Sequence, residues 1–367
     1  TSSSDLQRML AKVGGVVPTK STMPILENLL FDLLNDTLTI TATDLEVSLT
    51  VSLQVRGIED GRIAVPAKRL TDTIRNLPNI ITTFSIDTAT NRIKVTTANG
   101  EYNLTGEDAK EFPAVPPFKG TEEVTMENDL IRKLIYRTSF AVSADELRPA
   151  MMGVLLQPKG IELRAVATDG HRLVKCSHKF ENTVGLKRDI IVPAKALNIL
   201  SKSAESGSNT ISISDTHIKF NFDSTELISR LIEETYPNYE SVIPQENNKT
   251  LTVNREQLLS SIRRVGLYAS ATTHQIRFQM GKQALNISAQ DIDFGGEAKE
   301  TLECEYSGDE MEIGFNSQYV MEILAHLDSE QISFNFSSPT RAGIVSPVGS
   351  KESEDVMMLV MPVRLNA

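Results

Sequence analysis

Apolar and polar residues alternate with a period of two along several short segments of the chain. The alternation is clearest over 211–214 and 218–222, where every second side chain would lie on one face of a strand. Asn99 and Gly100 suit the tight turn of a hairpin. This pattern predicts antiparallel sheets built from short strands.

Six other segments have the pattern of short helices. Three begin at a polar residue whose side-chain oxygen can accept a hydrogen bond from the helix N-terminus: Ser4, Asn128 and Asn254. The other three follow a Val-Pro-Ala-Lys motif or its counterpart, and they are predicted over 67–76, 194–203 and 317–327.

The same order of segments occurs three times along the chain. An alternating run leads into Asp44, another into Asp169, and a more divergent copy into Asp291, at intervals of roughly 120 residues. The Val-Pro-Ala-Lys motif keeps step at 65–68 and 192–195, with Gly-Phe-Asn-Ser at 314–317. A repeat of this length is a domain rather than a solenoid unit.

A chain of 367 residues suits three domains of this size. We predict them over 1–119, 120–246 and 247–367. The second and third carry a strand-like segment before their first helix, whereas the first begins almost at its helix. We infer that a short native strand precedes Thr1.

Composition narrows the class of protein. The chain has no apolar run long enough to span a membrane. Its two cysteines, Cys176 and Cys304, lie in different repeats, which fits a reduced, cytoplasmic protein without a disulfide framework. Neither a phosphate-binding loop, nor a dinucleotide motif, nor a nucleophile elbow is present, and we expect no cofactor.

The net charge of −11 argues against a nucleic-acid partner, yet the charge is unevenly distributed. Basic residues gather on the predicted first helices and on the second helix of repeat one. Two interpretations are open: ordinary solvated helix faces, or one positive surface formed by all three repeats. The repetition favours the second. The residues are Arg8, Lys12, Lys68, Arg69, Arg75, Arg132, Lys133, Arg137, Arg255, Arg263 and Arg264.

Five segments, in order along the chain, resemble the bacterial DNA polymerase III beta subunit family, the sliding clamps. They are 23–28, 165–173, 236–239, 311–316 and 360–365. The resemblance implies an α+β clamp fold with two helices packed on antiparallel sheets in each of three similar domains. It further implies a non-catalytic, head-to-tail homodimer of six domains that encircles duplex DNA and makes the replicative polymerase processive.

The resemblance implies sequence-independent contacts between basic side chains and DNA phosphates. Lys20 stands where some relatives have arginine, and Pro149 and Ala150 stand where some have tyrosine. The residues expected to face DNA are Arg8, Lys12, Lys20, Lys68, Arg69, Arg132, Lys133, Arg137, Arg148, Lys195, Arg263 and Arg264.

The family's partner-peptide groove lies between its second and third domains. Its implied partners are the polymerase III alpha subunit, the delta subunit of the clamp loader, other polymerases and repair proteins. Ser241 and Thr273 replace an arginine and a phenylalanine found in some relatives. The groove residues by resemblance are Met151, Thr168, Gly170, His171, Arg172, Leu173, Pro237, Val242, Asn316, Tyr319, Thr340, Leu359, Val360, Met361, Pro362, Val363 and Arg364.

The family's dimer contact joins apolar side chains of the first domain to those of the third. By position these are Tyr102 and Leu104 against Leu267 and Tyr268. The alternative is that all four are core residues of their own domains.

Two other classes of function remain open on the residues alone. One is an enzyme with its site near Asp169, His171 and Arg172, and the other is a scaffold that binds only proteins. The repeated aspartates, Asp44, Asp169 and Asp291, suit either a metal ligand or a turn in which the carboxylate accepts backbone N–H groups. The turn is the preferred interpretation.

Overall fold

The structure is a computed structural model that describes residues 1–115, 117–349 and 351–365. The chain separates into two compact units, residues 1–132 with 195–231 and residues 133–194 with 232–367. Residue 367, the end of the third predicted domain, lies outside the described residues. None of the helices in the described part combines the length and hydropathy that crossing a lipid bilayer requires.

The described residues contain six α-helices, two in each predicted repeat. They are α1 (Ser3–Val13), α2 (Ala67–Arg75), α3 (Asn128–Thr138), α4 (Ala194–Ser203), α5 (Arg255–Val265) and α6 (Ser317–Ala325). All six predicted helices are confirmed, and α2 and α6 end one and two residues earlier than predicted.

The strands of the described residues also follow the repeats. Repeat one has β1 (Asn28–Leu34), β2 (Thr37–Thr43), β3 (Val47–Gln54), β4 (Gly61–Pro66), β5 (Thr83–Asp87), β6 (Arg92–Thr97) and β7 (Gly100–Thr105). Repeat two has β8 (Glu122–Glu127), β9 (Gly153–Lys159), β10 (Glu162–Thr168), β11 (Arg172–Lys179), β12 (Ile190–Pro193), β13 (Ser208–Ile213), β14 (His217–Phe222) and β15 (Thr225–Arg230). Repeat three has β16 (Lys249–Asn254), β17 (Gln275–Met280), β18 (Ala284–Asp291), β19 (Gly296–Glu303), β20 (Glu305–Ser307), β21 (Met311–Asn316), β22 (Gln331–Phe336), β23 (Gly343–Pro347) and β24 (Glu354–Val360).

The larger sheet of the first unit joins strands of two repeats. An eight-stranded sheet has the order β4-β1-β2-β3-β15-β14-β13-β8, and a three-stranded sheet has the order β5-β6-β7. All pairs are antiparallel, and β3 of repeat one pairs with β15 of repeat two. The apolar face of the larger sheet includes the fully buried Leu49, Leu227 and Phe220.

The second unit repeats this plan. A nine-stranded sheet has the order β12-β9-β10-β11-β24-β23-β22-β16-β20, with β11 of repeat two beside β24 of repeat three. A four-stranded sheet has the order β19-β18-β17-β21. Stacked and edge-on phenylalanines fill the core of repeat three, among them Phe278, Phe315 and Phe334.

Helix capping separates correct from incorrect local predictions. Asn254 caps α5 as predicted, because its Oδ1 accepts from the backbone N–H groups of Glu256 and Gln257 at 3.1 and 3.0 Å. The prediction for Ser4 is wrong: α1 begins at Ser3, and the hydroxyl of Ser2 accepts from the N–H of Asp5.

The prediction that Asn128 caps α3 is also wrong. It is the first residue of α3, and its buried side-chain amide has no hydrogen-bond partner among the described residues. The N–H of Ser3 donates to the carbonyl of Ile80, and the N–H of Asn128 donates to the carbonyl of Gly207, so each forms a long-range bond at the start of its helix.

Candidate functional site

The aspartate that recurs in every repeat closes a turn. Oδ1 of Asp44 accepts from the N–H groups of Glu46 and Val47 at 3.0 and 2.7 Å. Asp169 and Asp291 make the same pair of bonds, to residues 171 and 172 and to residues 293 and 294. The turn interpretation is therefore confirmed for all three copies.

The second copy of this turn contains the predicted groove residues Thr168, Gly170, His171 and Arg172. Thr168 Oγ1 donates to the carbonyl of Arg172 at 2.7 Å and accepts from the N–H of Gly170. Gly170 has a φ of +90°, and a Cβ there would lie 3.0 Å from a guanidinium nitrogen of Arg148. The positive φ favours glycine at this position, whereas the guanidinium is the end of a flexible, exposed side chain that can shift.

The C-terminal segment is fixed against this turn. The N–H of Met361 donates to the carbonyl of His171 at 2.8 Å, and the N–H of Val363 donates to Gly314 at 2.9 Å. These bonds hold residues 361–364 beside the turn and beside β21. The side chain of Met361 remains 41% exposed and is therefore available for contact.

Arg172 joins the turn to the neighbouring helical segments. Its guanidinium is buried, binds Asp169 and Glu322, and donates to the carbonyl of Phe140 at 2.8 Å. It also lies 5.1 Å from the centre of the Phe140 ring and 4.9 Å from that of Tyr319. Because all these partners are internal, Arg172 positions the wall rather than offering a free cation.

Other residues of the predicted groove lie beside this turn. The rings of His171 and Tyr319 lie 5.7 Å apart. Asn316 Oδ1 accepts from Gln318 N–H at 2.9 Å and so caps α6, which fixes the direction of Tyr319. A cluster containing Leu173, Leu359 and Tyr239 forms the apolar base.

The structure divides the predicted groove residues by exposure. Met151, Thr168, Arg172, Leu173, Leu359 and Val360 are buried and support the walls, and Asn316, Tyr319, Pro362 and Val363 are half-buried. The exposed residues of the set are Gly170, His171, Pro237, Val242, Thr340, Met361 and Arg364.

Four residues beneath the groove were missed by the sequence analysis. Tyr136 in the last turn of α3 and Phe140, four residues later and just after the helix, have ring centres 4.5 and 4.0 Å from that of His326. Tyr136 Oη donates to the carbonyl of Ala325. Glu322 and His326 have the same spacing on α6, and Nδ1 of His326 lies 2.7 Å from the Glu322 carbonyl. The spacing of four residues was visible in the sequence and would have predicted that the members of each pair are neighbours on a helix.

The geometry weakens the enzymatic interpretation of this segment. An acid–base pair needs a carboxylate that is free to exchange a proton with His171. Instead, Oδ1 of Asp169 accepts two backbone N–H groups, and Oδ2 accepts from Nε of Arg172 at 3.1 Å. Both carboxylate oxygens therefore have structural roles.

Known proteins share this arrangement over the whole chain. The family models of the DNA polymerase III beta subunit match in succession, with the N-terminal domain over residues 2–116, the central domain over 125–238 and the C-terminal domain over 240–364. The chain belongs to the DNA polymerase III beta subunit family. The predicted α+β clamp fold and the predicted family are thereby confirmed, and the domain boundaries at 119/120 and 246/247 stay predictions.

Curated and solved relatives are sliding clamps. The beta sliding clamp of Pseudomonas aeruginosa is 31% identical over 363 residues, which cover 98% of each chain. The sliding clamp of Bartonella birtlesii bound to griselimycin superposes with a TM-score of 0.93 at 29% identity, covering 99% of this chain and 98% of that one. The P. aeruginosa clamp bound to griselimycin gives 0.92 at 30% identity, covering 100% and 98%.

Within this sliding clamp, the cations predicted to face DNA fall into two groups. Arg8, Lys20, Lys68, Arg69, Arg148, Lys195, Arg263 and Arg264 are exposed. Arg8, Arg148, Lys195 and Arg264 also bind the carboxylates of Asp5, Asp145, Asp44 and Glu300, respectively. The exposed group fits the prediction but does not by itself test it.

The prediction is wrong for Arg137. Its guanidinium is 6% exposed and binds Asp328 and Glu354. Lys133 also binds Glu354, Lys12 lies 3.7 Å from Glu205 with only 11% of its side chain exposed, and Arg132 binds Asp129 and the carbonyl of Ala204. These four cations, which were predicted to face DNA, instead form ion pairs with carboxylates of the same chain.

The predicted dimer residues also divide. Leu104 is buried, with 6% exposure, and matches the alternative of a core residue. Tyr102, Leu267 and Tyr268 are 36%, 80% and 47% exposed, so the core interpretation is wrong for these three.

Proposed function

We propose that this sliding clamp closes as a head-to-tail homodimer around duplex DNA, tethers the replicative polymerase, and acts without catalysing a reaction. The observation that carries the proposal is a rule of strand pairing. The strand after the aspartate turn of one repeat pairs with the last strand of the next repeat, β3 with β15 and β11 with β24.

Among the described residues, two strands lack the second neighbour that this rule assigns to them. The strand after the third aspartate turn, β19, is the edge of its sheet, and the last strand of repeat one, β7, is the edge of another. Unpaired edges are templates for pairing with another chain. Pairing β19 of one copy with β7 of a second, and the reverse, joins six repeats into a closed ring.

The register follows from the intrachain junctions. Leu49 pairs with Leu227 and Thr50 with Glu226 in the first unit. Cross-strand partners identify the equivalent residues: Ala42 pairs with Leu49 as Ala289 pairs with Ala298, and Phe220 pairs with Leu227 as Val95 pairs with Tyr102. The equivalent pairs across the copies are therefore Ala298 with Tyr102, and Lys299 with Glu101. The second pair joins opposite charges, and the first brings the exposed ring of Tyr102 to the interface.

The ring would hold DNA through phosphate contacts that carry no sequence information. Exposed cations on α1, α2 and α5 supply them, including Arg8, Arg69 and Arg263. Such contacts exchange readily in salt, which permits sliding while the closed ring prevents escape.

The groove beneath Met361 and Val242 is proposed to bind peptide segments of replication partners. It combines exposed apolar side chains with a rigid wall held by Arg172, as a small recognition site requires. The cytoplasm is the proposed location, in keeping with a role on chromosomal DNA.

Disulfide trapping tests the ring directly. We expect a chain carrying Tyr102→Cys and Ala298→Cys to form covalent dimers that stay on nicked circular DNA and leave it after linearisation. Tyr102→Cys with Lys299→Cys is the matched control, because neighbouring residues of a strand point to opposite faces. Equal trapping in both variants would reject the register, and loss from circular DNA without linearisation would reject the ring.

A further inference from the structure

The two intrachain junctions share an ion pair, and the third junction has a different residue at the position of the acid. Three backbone bonds establish which residues are equivalent: Ser3 N–H to Ile80, Asn128 N–H to Gly207, and Arg255 N–H to Glu330. Each joins the start of a repeat's first helix to the segment after its second helix. Counting from these bonds makes Lys12, Arg137 and Arg264 equivalent, and likewise Pro78, Glu205 and Asp328.

In both intrachain junctions the cation of one repeat meets the acid of the next. Lys12 lies 3.7 Å from Glu205, and Arg137 lies 3.0 Å from Asp328. Both cations are largely buried, with 11% and 6% of their side chains exposed, whereas both acids stay open to solvent. The pair thus links the first helix of one repeat to the segment after the second helix of the next.

The junction between two copies would place Arg264 against Pro78. Pro78 is exposed and has no charge, so it supplies no acid. Arg264 is instead held by its own repeat, where Glu300 accepts from Nε and Nη2 at 2.7 and 2.6 Å. Its side chain is 59% exposed in the single chain.

We infer that Pro78 leaves the seam between copies without the ion pair that both intrachain junctions have at this position, and so makes the ring easier to open there. This inference rests on the proposed function, because it needs a ring. A closed ring must open to admit a circular duplex, and only the seams are free of a covalent link. A seam without the ion pair separates more readily than the junctions it resembles.

Restoring the acid tests the inference. We expect Pro78→Asp to lower the dimer dissociation constant by roughly two- to thirty-fold, since each of two seams gains one exposed ion pair. Pro78→Asn is the matched control, because it removes the proline without adding charge. The gain should shrink in high salt and disappear when Arg264→Gln is added.

Dilution series by light scattering and exchange between differently labelled dimers provide the measurement. Equal dissociation constants for the Pro78→Asp and Pro78→Asn dimers would overturn the inference without contradicting the proposed ring. A gain that survives Arg264→Gln would overturn it as well. Chains that remain monomeric at all concentrations would reject the proposed ring, and the inference with it.

Discussion

Arg137 donates a hydrogen bond of 2.9 Å to the carboxylate of Glu354, joining the first helix of repeat two to the last strand of repeat three. Lys133 donates to the same carboxylate at 2.7 and 2.6 Å. Burial opposes ionisation of Glu354, but these two cations outweigh it and lower the pKa of the carboxyl group. The network therefore secures the junction that lies under the groove.

Removing this carboxylate should destabilise the second unit. We expect Glu354→Gln to reduce the free energy of unfolding by about 3 kcal/mol, because a nearly buried guanidinium loses its main partner. Urea unfolding measures the change. Asp328→Asn is the control, since that carboxylate is 69% exposed and should cost less than about 1 kcal/mol. Equal losses in the two variants would contradict the assignment.

Stability should also fall in mild acid because of His326. Desolvation, followed by repulsion from Arg172, lowers the pKa of its imidazole. The unfolded chain then binds the proton more readily, so stability is lost as pH drops below the unfolded pKa of about 6.5.

We expect the free energy of unfolding to fall less in His326→Phe than in the parent chain when the pH is lowered from about 7.5 to about 5.5. Chemical unfolding at each pH measures this change. Phenylalanine keeps a ring against Phe140 without a titrating group. Some slope should remain, because burial also lowers the pKa of His178. An unchanged slope would show that His326 does not titrate differently on unfolding.

The exposed apolar side chains of the groove should carry affinity. We expect Val242→Ala and Met361→Ala each to weaken binding of an apolar partner peptide by about five- to tenfold through lost apolar contact. Isothermal calorimetry measures the affinity of the peptide. Leu34→Ala is the control, because Leu34 is 59% exposed at the end of β1 in the other unit. Parent-like affinity in both groove variants would move the site elsewhere.

Exposed helix cations should set the salt dependence of DNA binding. We expect Arg69→Glu with Arg263→Glu to reduce the slope of log affinity against log salt by about two, one per lost phosphate contact. Anisotropy of a labelled duplex at several salt concentrations reports the slope. Lys159→Glu, an exposed charge on β9, should leave it unchanged. An unaltered slope in the double variant would remove these helices from the DNA surface.

Local chemistry was readable from the sequence where it depends on neighbours in the chain. The aspartate turns and the cap at Asn254 need only two or three following N–H groups, and both predictions hold. Arg137 has the same local pattern as an exposed helix cation. Its burial depends on Glu354, 217 residues away, which no helical period reveals.

The same reasoning explains the divided outcome at the predicted dimer residues. Tyr102 and Leu104 lie on the same face of β7, and alternation alone treats them alike. Leu104 pairs with Ile93 of the neighbouring strand β6 and is buried, while Tyr102 stays at the surface. Which residue of an apolar face is covered depends on tertiary contacts that the alternation does not encode.

The shared sheets have a consequence for dissecting the protein into fragments. Excised at the predicted boundaries, the middle repeat would lose β3 beside β15 and β24 beside β11. Each of its two sheets would then have a newly unpaired edge strand and newly exposed apolar residues. Unpaired edges of this kind promote aggregation. Soluble fragments should instead be cut so that each retains a complete sheet, which means through a repeat rather than between repeats.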